Sequence, residues 1–268
     1  MTARRTCLVL GGRGFVGSAI VRAAQAEGWD VTPAGRDDAP SLPGTSWDLV
    51  INANGNSRKY LSDREPLTDF DDSVASVARS LHHLKTPLYV FLSTVDVYPD
   101  KADPTLNRED VPIDPLRLSR YGHHKWLAEQ LVRFNAPSWL ILRMAGFVGP
   151  GLKKNPVYDL LTRAPLRVHP DSLYQFQHTR ALADTVLDLI HQGQTNLILN
   201  AAGQGLISPR EIASMIPGCI LPDPDPALKP EIYDINIDRL KTYRQIPTTY
   251  DTVAAFIKDV HHGKEVLP

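Results

Sequence analysis

The stretch that constrains this chain most is Gly11-Gly12-Arg13-Gly14-Phe15-Val16-Gly17. It follows a short apolar run, Thr6–Leu10, and opens a segment, Phe15–Glu27, in which Val16, Ile20 and Ala23/Ala24 recur at helical spacing. Gly12, Gly14 and Gly17 satisfy GxGxxG, and Gly11, Gly14 and Gly17 satisfy GxxGxxG. A strand, a glycine turn and a helix in that order let the backbone approach a pyrophosphate closely. The helix start then offers free N–H groups and the positive end of its dipole. Alone, three glycines say little. Between a strand and a helix they indicate a dinucleotide site. Gly11, Arg13, Gly14, Phe15, Val16 and Gly17 are therefore the first expected cofactor contacts.

The rest of the first half continues the alternation. Strands are expected at Asp30–Ala34, Leu49–Asn52, Leu88–Ser93 and Trp139–Arg143, with helices at Ser73–Leu84 and Tyr121–Phe134. Apolar strands alternating with helices predict a parallel sheet covered on both faces, a Rossmann-like doubly wound α/β fold. After about Gly149 the pattern loosens into a helix at Arg180–His191, a strand at Asn196–Ala201 and helices at Pro209–Ile216 and Thr249–His261. Ser208 is the expected N-cap of the third of these, with Pro209 at its first position. The expected division is a dinucleotide-binding domain over 1–150 and a small C-terminal substrate lobe over 151–268, partly interleaved with the sheet.

Composition excludes several classes. The formal net charge of −1 gives no support for a nucleic-acid or anionic-membrane partner. Cys7 and Cys219 have no CxxC spacing, which argues against a zinc site or a disulfide scaffold and fits a cytoplasmic protein. No run approaches the ~20 apolar residues of a membrane span, and the start of the chain lacks the apolar length of a secretory signal. The histidine pairs His82-His83 and His261-His262 lack ligand partners at useful spacing, so no metal is expected.

The end of the second strand selects the cofactor, because an acid there binds a ribose hydroxyl and favours NAD. Here Gly35 stands at that point and Arg36 follows. Gly35 makes room, and the Arg36 guanidinium suits a 2′-phosphate, with Arg13 as a helper. NADP(H) is expected over NAD(H), which stays possible.

Tyr121-Gly-His-His-Lys125 places a tyrosine and a lysine one helical turn apart. An ammonium beside a phenol favours the phenolate, and a tyrosine tuned in this way can protonate a carbonyl oxygen as hydride arrives. The strand before this helix ends Phe91-Leu-Ser-Thr-Val-Asp-Val-Tyr98. With the glycine loop, that strand end and YxxxK in order, the chain resembles the extended short-chain dehydrogenase/reductases, the NAD-dependent epimerase/dehydratase superfamily. The likeness covers essentially the whole chain, including Leu142–Pro150 and Phe176-Gln-His178. It implies Thr94, Tyr121 and Lys125 as the catalytic set. It also implies Asn52, Ala53, Asn54, Ser93, Met144, Phe147 and Val148 as cofactor neighbours.

The chain departs from that pattern in places. Dehydratases of the superfamily read Thr-Asp-Glu where this chain has Thr94-Val95-Asp96, and Val95 cannot protonate a leaving hydroxyl. Asp96 is either a substrate-facing acid/base or a turn-forming aspartate. Asn56, Lys154, Asn155 and His178 are further substrate candidates, and the polar run Asn54–Tyr60 lies where ligands bind such sheets. The leading expectation is an NADPH-dependent reductase of a keto-sugar or sugar-nucleotide-like substrate. Two alternatives stay open: an epimerase that retains NAD, and a non-catalytic NADP(H) sensor. The superfamily also implies a possible homodimer through helices such as Ser73–Leu84 and Tyr121–Phe134.

Overall fold

The run Tyr89–Thr94 is buried along its whole length, which only a strand with neighbours on both sides and layers on both faces can achieve. The computed structural model places it near the middle of a six-stranded sheet. The structure describes residues 4–35, 38, 41–55, 59–221, 223 and 225–267. In chain order, β1 (Thr6–Leu10), α1 (Phe15–Ala26), β2 (Asp30–Ala34) and β3 (Leu49–Asn52) come first. Two short helices, α2 (Lys59–Arg64) and α3 (Pro66–Phe70), lead through a π-helical turn at Asp71–Ala75 into α4 (Ser76–His83). Then follow β4 (Tyr89–Thr94), a 3-10 turn at Val95–Val97, α5 (Arg120–Asn135), β5 (Trp139–Met144), β6 (Gly146–Val148), α6 (Pro156–Leu161) and β7 (Phe176–His178). The chain closes with α7 (Thr179–His191), β8 (Leu197–Ala201), α8 (Pro209–Ser214), α9 (Asp238–Lys241) and α10 (Thr249–His261).

The large sheet runs β2-β1-β3-β4-β5-β8, and the pairings from β2 through β5 are parallel. The order reverses between β1 and β3. At such a switch point the loops leave the carboxyl edge in opposite directions and open a crevice for a ligand. One sheet face packs Leu8, Val50, Phe91 and Ile141 against Val77, Ala128 and Val132 of α4 and α5. The Rossmann-like α/β class expected from the alternation is the fold observed.

The chain forms two compact units. The first takes the chain to Pro99 and adds Glu109–Met144 and Leu182–Leu199. The second takes Asp100–Arg108, Ala145–Ala181 and the chain from Asn200 onward. In the second unit, β6 and β7 form a parallel pair with Phe147 opposite Gln177. Asn107, fully buried, ties this unit together. Its Nδ2 donates to the carbonyl oxygen of Asp234 (2.8 Å), and its Oδ1 accepts from the Asn236 N–H (2.7 Å).

Three elements differ from their sequence expectation. The helix expected over Ser73–Leu84 begins earlier and passes through the π-helical turn before α4, a wide-turn irregularity that side-chain periodicity does not reveal. The three-residue strands β6 and β7 are too short to carry an alternation signal.

Candidate active site

The glycine loop is shaped by backbone contact. Gly11 has φ +73° and donates its N–H to the Ala34 carbonyl oxygen at 2.8 Å. A Cβ on Gly17 would lie 2.2 Å from the Gly11 carbonyl oxygen, and one on Gly12 would lie 2.8 Å from the Val9 oxygen. Gly14 is exposed, and a Cβ there would meet only the Gly11 oxygen, at 3.1 Å. Gly14 is the N-cap of α1, makes no side-chain cap bond, and is followed by no acid in the first turn. The first N–H groups of α1 thus meet no competing side-chain anion at an exposed glycine edge. That is the donor set a pyrophosphate requires, so these residues fit a dinucleotide.

At the end of β2 the structure shows a residue that the sequence reading passed over. Asp38 accepts the Gly35 N–H at 2.7 Å and pairs with the Arg13 guanidinium at 2.9 Å. These two partners hold its carboxyl below the usual aspartate range. A Cβ on Gly35 would approach Arg13 Nη1 to 3.2 Å, so glycine here does make room for the guanidinium. Arg36, the residue on which the NADP expectation mainly rested, lies outside the described residues, as does Asn56.

The expected catalytic residues Thr94, Tyr121 and Lys125 lie around the carboxyl edge of β4. Ser119 caps α5 by accepting the Gly122 N–H at 3.2 Å, and Gly122 lets the helix meet the turn after β4. A Cβ there would lie 2.2 Å from the Asp96 carbonyl oxygen. This contact places Tyr121 beside Thr94, whose hydroxyl lowers the proton affinity of the phenol. Thr94 Oγ1 also donates to Asp96 Oδ2 (3.0 Å) and accepts the Asp96 N–H (3.2 Å). Asp96 Oδ2 stands 2.6 Å from Lys59 Nζ. Lys125 is buried, donates to the Leu92 carbonyl oxygen at 3.0 Å, and sits 4.4 Å from the centre of the Phe91 ring. A Cβ on Gly55 would lie 3.4 Å from its ammonium.

The electrostatics differ from the simple expectation. Burial pushes the Tyr121 phenol up, and the carboxylates of Asp96 and Asp69 push it further; only the Thr94 hydrogen bond acts the other way. Burial brings the Lys125 ammonium down to about 8, against the pull of Glu129 and Asp69. In the free chain, the charge of Lys125 therefore does not prevail over burial and the two acids at Tyr121. Asp69 belongs to a second pair missed in the sequence: His124 Nδ1 lies 2.6 Å from Asp69 Oδ2, with both side chains buried. Their partnership links residues far apart in the chain, which no local motif shows.

Several expected site residues also make bonds within the protein. Asn52 is buried, donates to the Tyr89 hydroxyl at 2.7 Å and accepts the Asn54 N–H at 2.9 Å, so its amide is committed within the protein. Ser93 is buried and donates to Glu129 at 2.5 Å. In the second unit, Asn155 caps α6 through Tyr158 N–H (2.9 Å) and donates to the Phe147 oxygen (2.9 Å). His178 accepts the Arg180 N–H at Nδ1 (3.1 Å), so its Nε2 carries the proton and donates to Glu265 (2.9 Å). Both ring nitrogens are engaged. Val148 is fully buried and Phe147 nearly so, whereas Lys154 is exposed. Ala53 and Asn54, after β3, and Met144, opposite Thr94 in the β4–β5 pairing, remain partly accessible. Among the described residues, no cluster of three metal-ligating side chains occurs, and no helix is long and apolar enough to cross a membrane.

The sequence profile of the NAD dependent epimerase/dehydratase family matches residues 7–172. Solved structures share the fold across almost their whole length. A UDP-galactose 4-epimerase is 22% identical, with 96% of this chain and 99% of that chain covered and a TM-score of 0.77. A UDP-glucuronic acid 4-epimerase from Bacillus cereus, solved with NAD, is 18% identical over 96% and 99%, with a TM-score of 0.78. A dTDP-4-dehydrorhamnose reductase from Bacillus anthracis, solved with NADP, is 16% identical over 97% and 99%, with a TM-score of 0.75. No curated protein sequence matches significantly.

Proposed function

Because this chain belongs to the NAD dependent epimerase/dehydratase family, and so to the NAD(P)-dependent enzymes of the extended short-chain dehydrogenase/reductase type, we propose that it is an NADPH-dependent reductase of a ketone on a sugar or sugar-nucleotide-like substrate. The observation that carries this reading is the linked set Tyr121–Thr94, with Lys125 buried one helical turn away. A bound reduced nicotinamide supplies the hydride. Tyr121 delivers the proton to the ketone oxygen, and its raised proton affinity keeps it in the acid form that this direction requires. Thr94 holds that oxygen. Lys125 positions the cofactor ribose and supports the phenolate that remains. The N–H groups of Phe15, Val16 and Gly17 would hold the pyrophosphate, and Arg13 beside Gly35 would exchange Asp38 for a 2′-phosphate.

Asp38 also favours a second reading. A carboxylate seated on the Gly35 N–H at the end of β2 suits a ribose 2′-hydroxyl, hence NAD and an epimerase that retains its cofactor. The reductase and epimerase likenesses among the solved structures are compatible with either. A spectrophotometric screen of NADPH oxidation against a panel of keto-sugars and their nucleotides separates them. Oxidation by at least one member, lost in Tyr121→Phe, supports the reductase. A cofactor that co-purifies as NAD, with no net oxidation of NADPH, supports the epimerase.

A homodimer is part of the same proposal. Phe70, Val74, Leu127, Leu131, Phe134 and Trp139 line an apolar groove in the first unit, with Phe134 88% exposed. A second copy of the same face would cover it.

A further inference from the structure

Thr94 and Tyr121 face a carboxylate, and a carboxylate beside a catalytic phenol opposes phenolate formation. Asp96 is 7% exposed, and its Oδ2 receives the Thr94 hydroxyl at 3.0 Å. The same oxygen lies 2.6 Å from Lys59 Nζ. Lys59 opens α2, where the helix dipole does not favour a cation, and its side chain is 54% exposed. Local helix electrostatics thus do not account for the lysine at this position; the carboxylate it reaches does.

We propose that Lys59 is a positioning residue of the proton-transfer site: its ammonium, held on Asp96, neutralises the carboxylate that the Thr94–Tyr121 pair faces. Lys59 acts through Asp96 and touches neither reacting atom. The inference rests on the assignment of Tyr121 as the proton donor. Asp96 and Asp69 act on Tyr121, and these carboxylates with their partners and Lys125 come from four places. Asp96 follows β4, Lys59 approaches on α2, and Asp69 approaches on α3 with His124 at 2.6 Å. Lys125 lies on α5, the helix of Tyr121 itself. Asp69 has a histidine as its partner, and Asp96 has a lysine, so the two carboxylates near the phenol are each matched by a different base. Removal of Lys59 takes away one positive charge from Asp96 and makes the phenol harder to ionise. Removal of Asp96 makes it easier.

The test needs no cofactor and no substrate. A 3,5-difluorotyrosine placed at position 121 ionises well below an ordinary tyrosine and is followed by its own fluorine resonance as pH is raised. In Lys59→Gln the midpoint rises by about half a unit to one unit, the size expected for loss of a nearby compensating charge. Lys59→Arg restores the original midpoint, and Asp96→Asn lowers it. A midpoint in Lys59→Gln equal to that of the parent protein, with Asp96→Asn lowering it, would overturn the inference and reduce Lys59 to a surface ion pair. Because Lys59 is half-exposed, its replacement opens no core cavity, and Lys59→Arg provides a second, charge-conserving check. Failure of the reductase screen would leave this result standing. A negative titration would in turn leave the reductase reading intact, so the two proposals fail separately.

Discussion

Arg13, Gly35 and Asp38 show how one side chain can point a site toward either of two cofactors. Arg13 and Asp38 are substantially exposed, so their ion pair contributes little to stability and can be exchanged at small cost. Under the proposed reading, a 2′-phosphate would compete with Asp38 for the guanidinium, and a 2′-hydroxyl would be held by Asp38 itself. Asp38→Asn removes the internal competitor and the hydroxyl acceptor together, so the ratio of NADPH to NADH affinity rises by roughly tenfold. Arg13→Gln moves the ratio the other way. Calorimetric titration of each variant with both cofactors checks this, and a ratio unchanged by either substitution would remove this trio from cofactor selection. Tyr121, Lys125 and Thr94 were legible in the sequence because fixed spacing along a helix and a strand end carries them. Asp38, Asp69 and the pairing of Lys59 with Asp96 were not, because the partners come from other segments: Arg13 from the glycine loop, Asp96 from the turn after β4, His124 from α5.

At the scale of elements, α5 and β5 are locked by a buried ion pair. Arg143 and Glu129 are both buried, with Nη2 and Oε2 2.7 Å apart, and Tyr98 accepts a second guanidinium N–H at 2.8 Å. The carboxylate and the phenol together raise the proton affinity of Arg143 despite its burial. Tyr121 and Lys125 ride on the same helix as Glu129, so this pair also fixes the catalytic turn. Glu129→Gln strands a buried guanidinium and costs about 3–5 kcal/mol, read by urea unfolding. A variant as stable as the parent protein would show that the pair is dispensable. Apolar periodicity revealed both elements but not this pair, because a charged residue within an apolar strand and another on a helix face look like exceptions until the fold brings them together. Capping chemistry was more local and more legible. Ser208 accepts the Glu211 N–H at 3.1 Å, the N-cap expected from that serine and the proline after it, and Glu211 reaches back to the Ser208 N–H at 2.8 Å to complete a capping box.

For the whole molecule, the strand–helix alternation was sufficient to predict a parallel sheet, and its switch point lies beside the glycine loop. The second unit was harder to read, since its three-residue strands are held by long-range amide contacts such as those of Asn107 rather than by periodic apolar faces. The apolar groove on α5 carries its own expectation. Phe134→Glu, a change at an exposed side chain, converts a dimer to a monomer in light scattering without lowering thermal stability. A parent protein that is monomeric at all concentrations would remove the dimer from the account. The central claim is net hydride delivery with Tyr121 as the proton donor, and one labelling measurement tests it most directly. The protein is incubated with NADPH carrying deuterium at C4 of the nicotinamide and a 4-keto sugar nucleotide, and the products are analysed by mass spectrometry. The account predicts one deuterium on the carbinol carbon of a reduced sugar, with no transfer in Tyr121→Phe. An epimerised product of unchanged mass, formed on cofactor that remains bound, would contradict it.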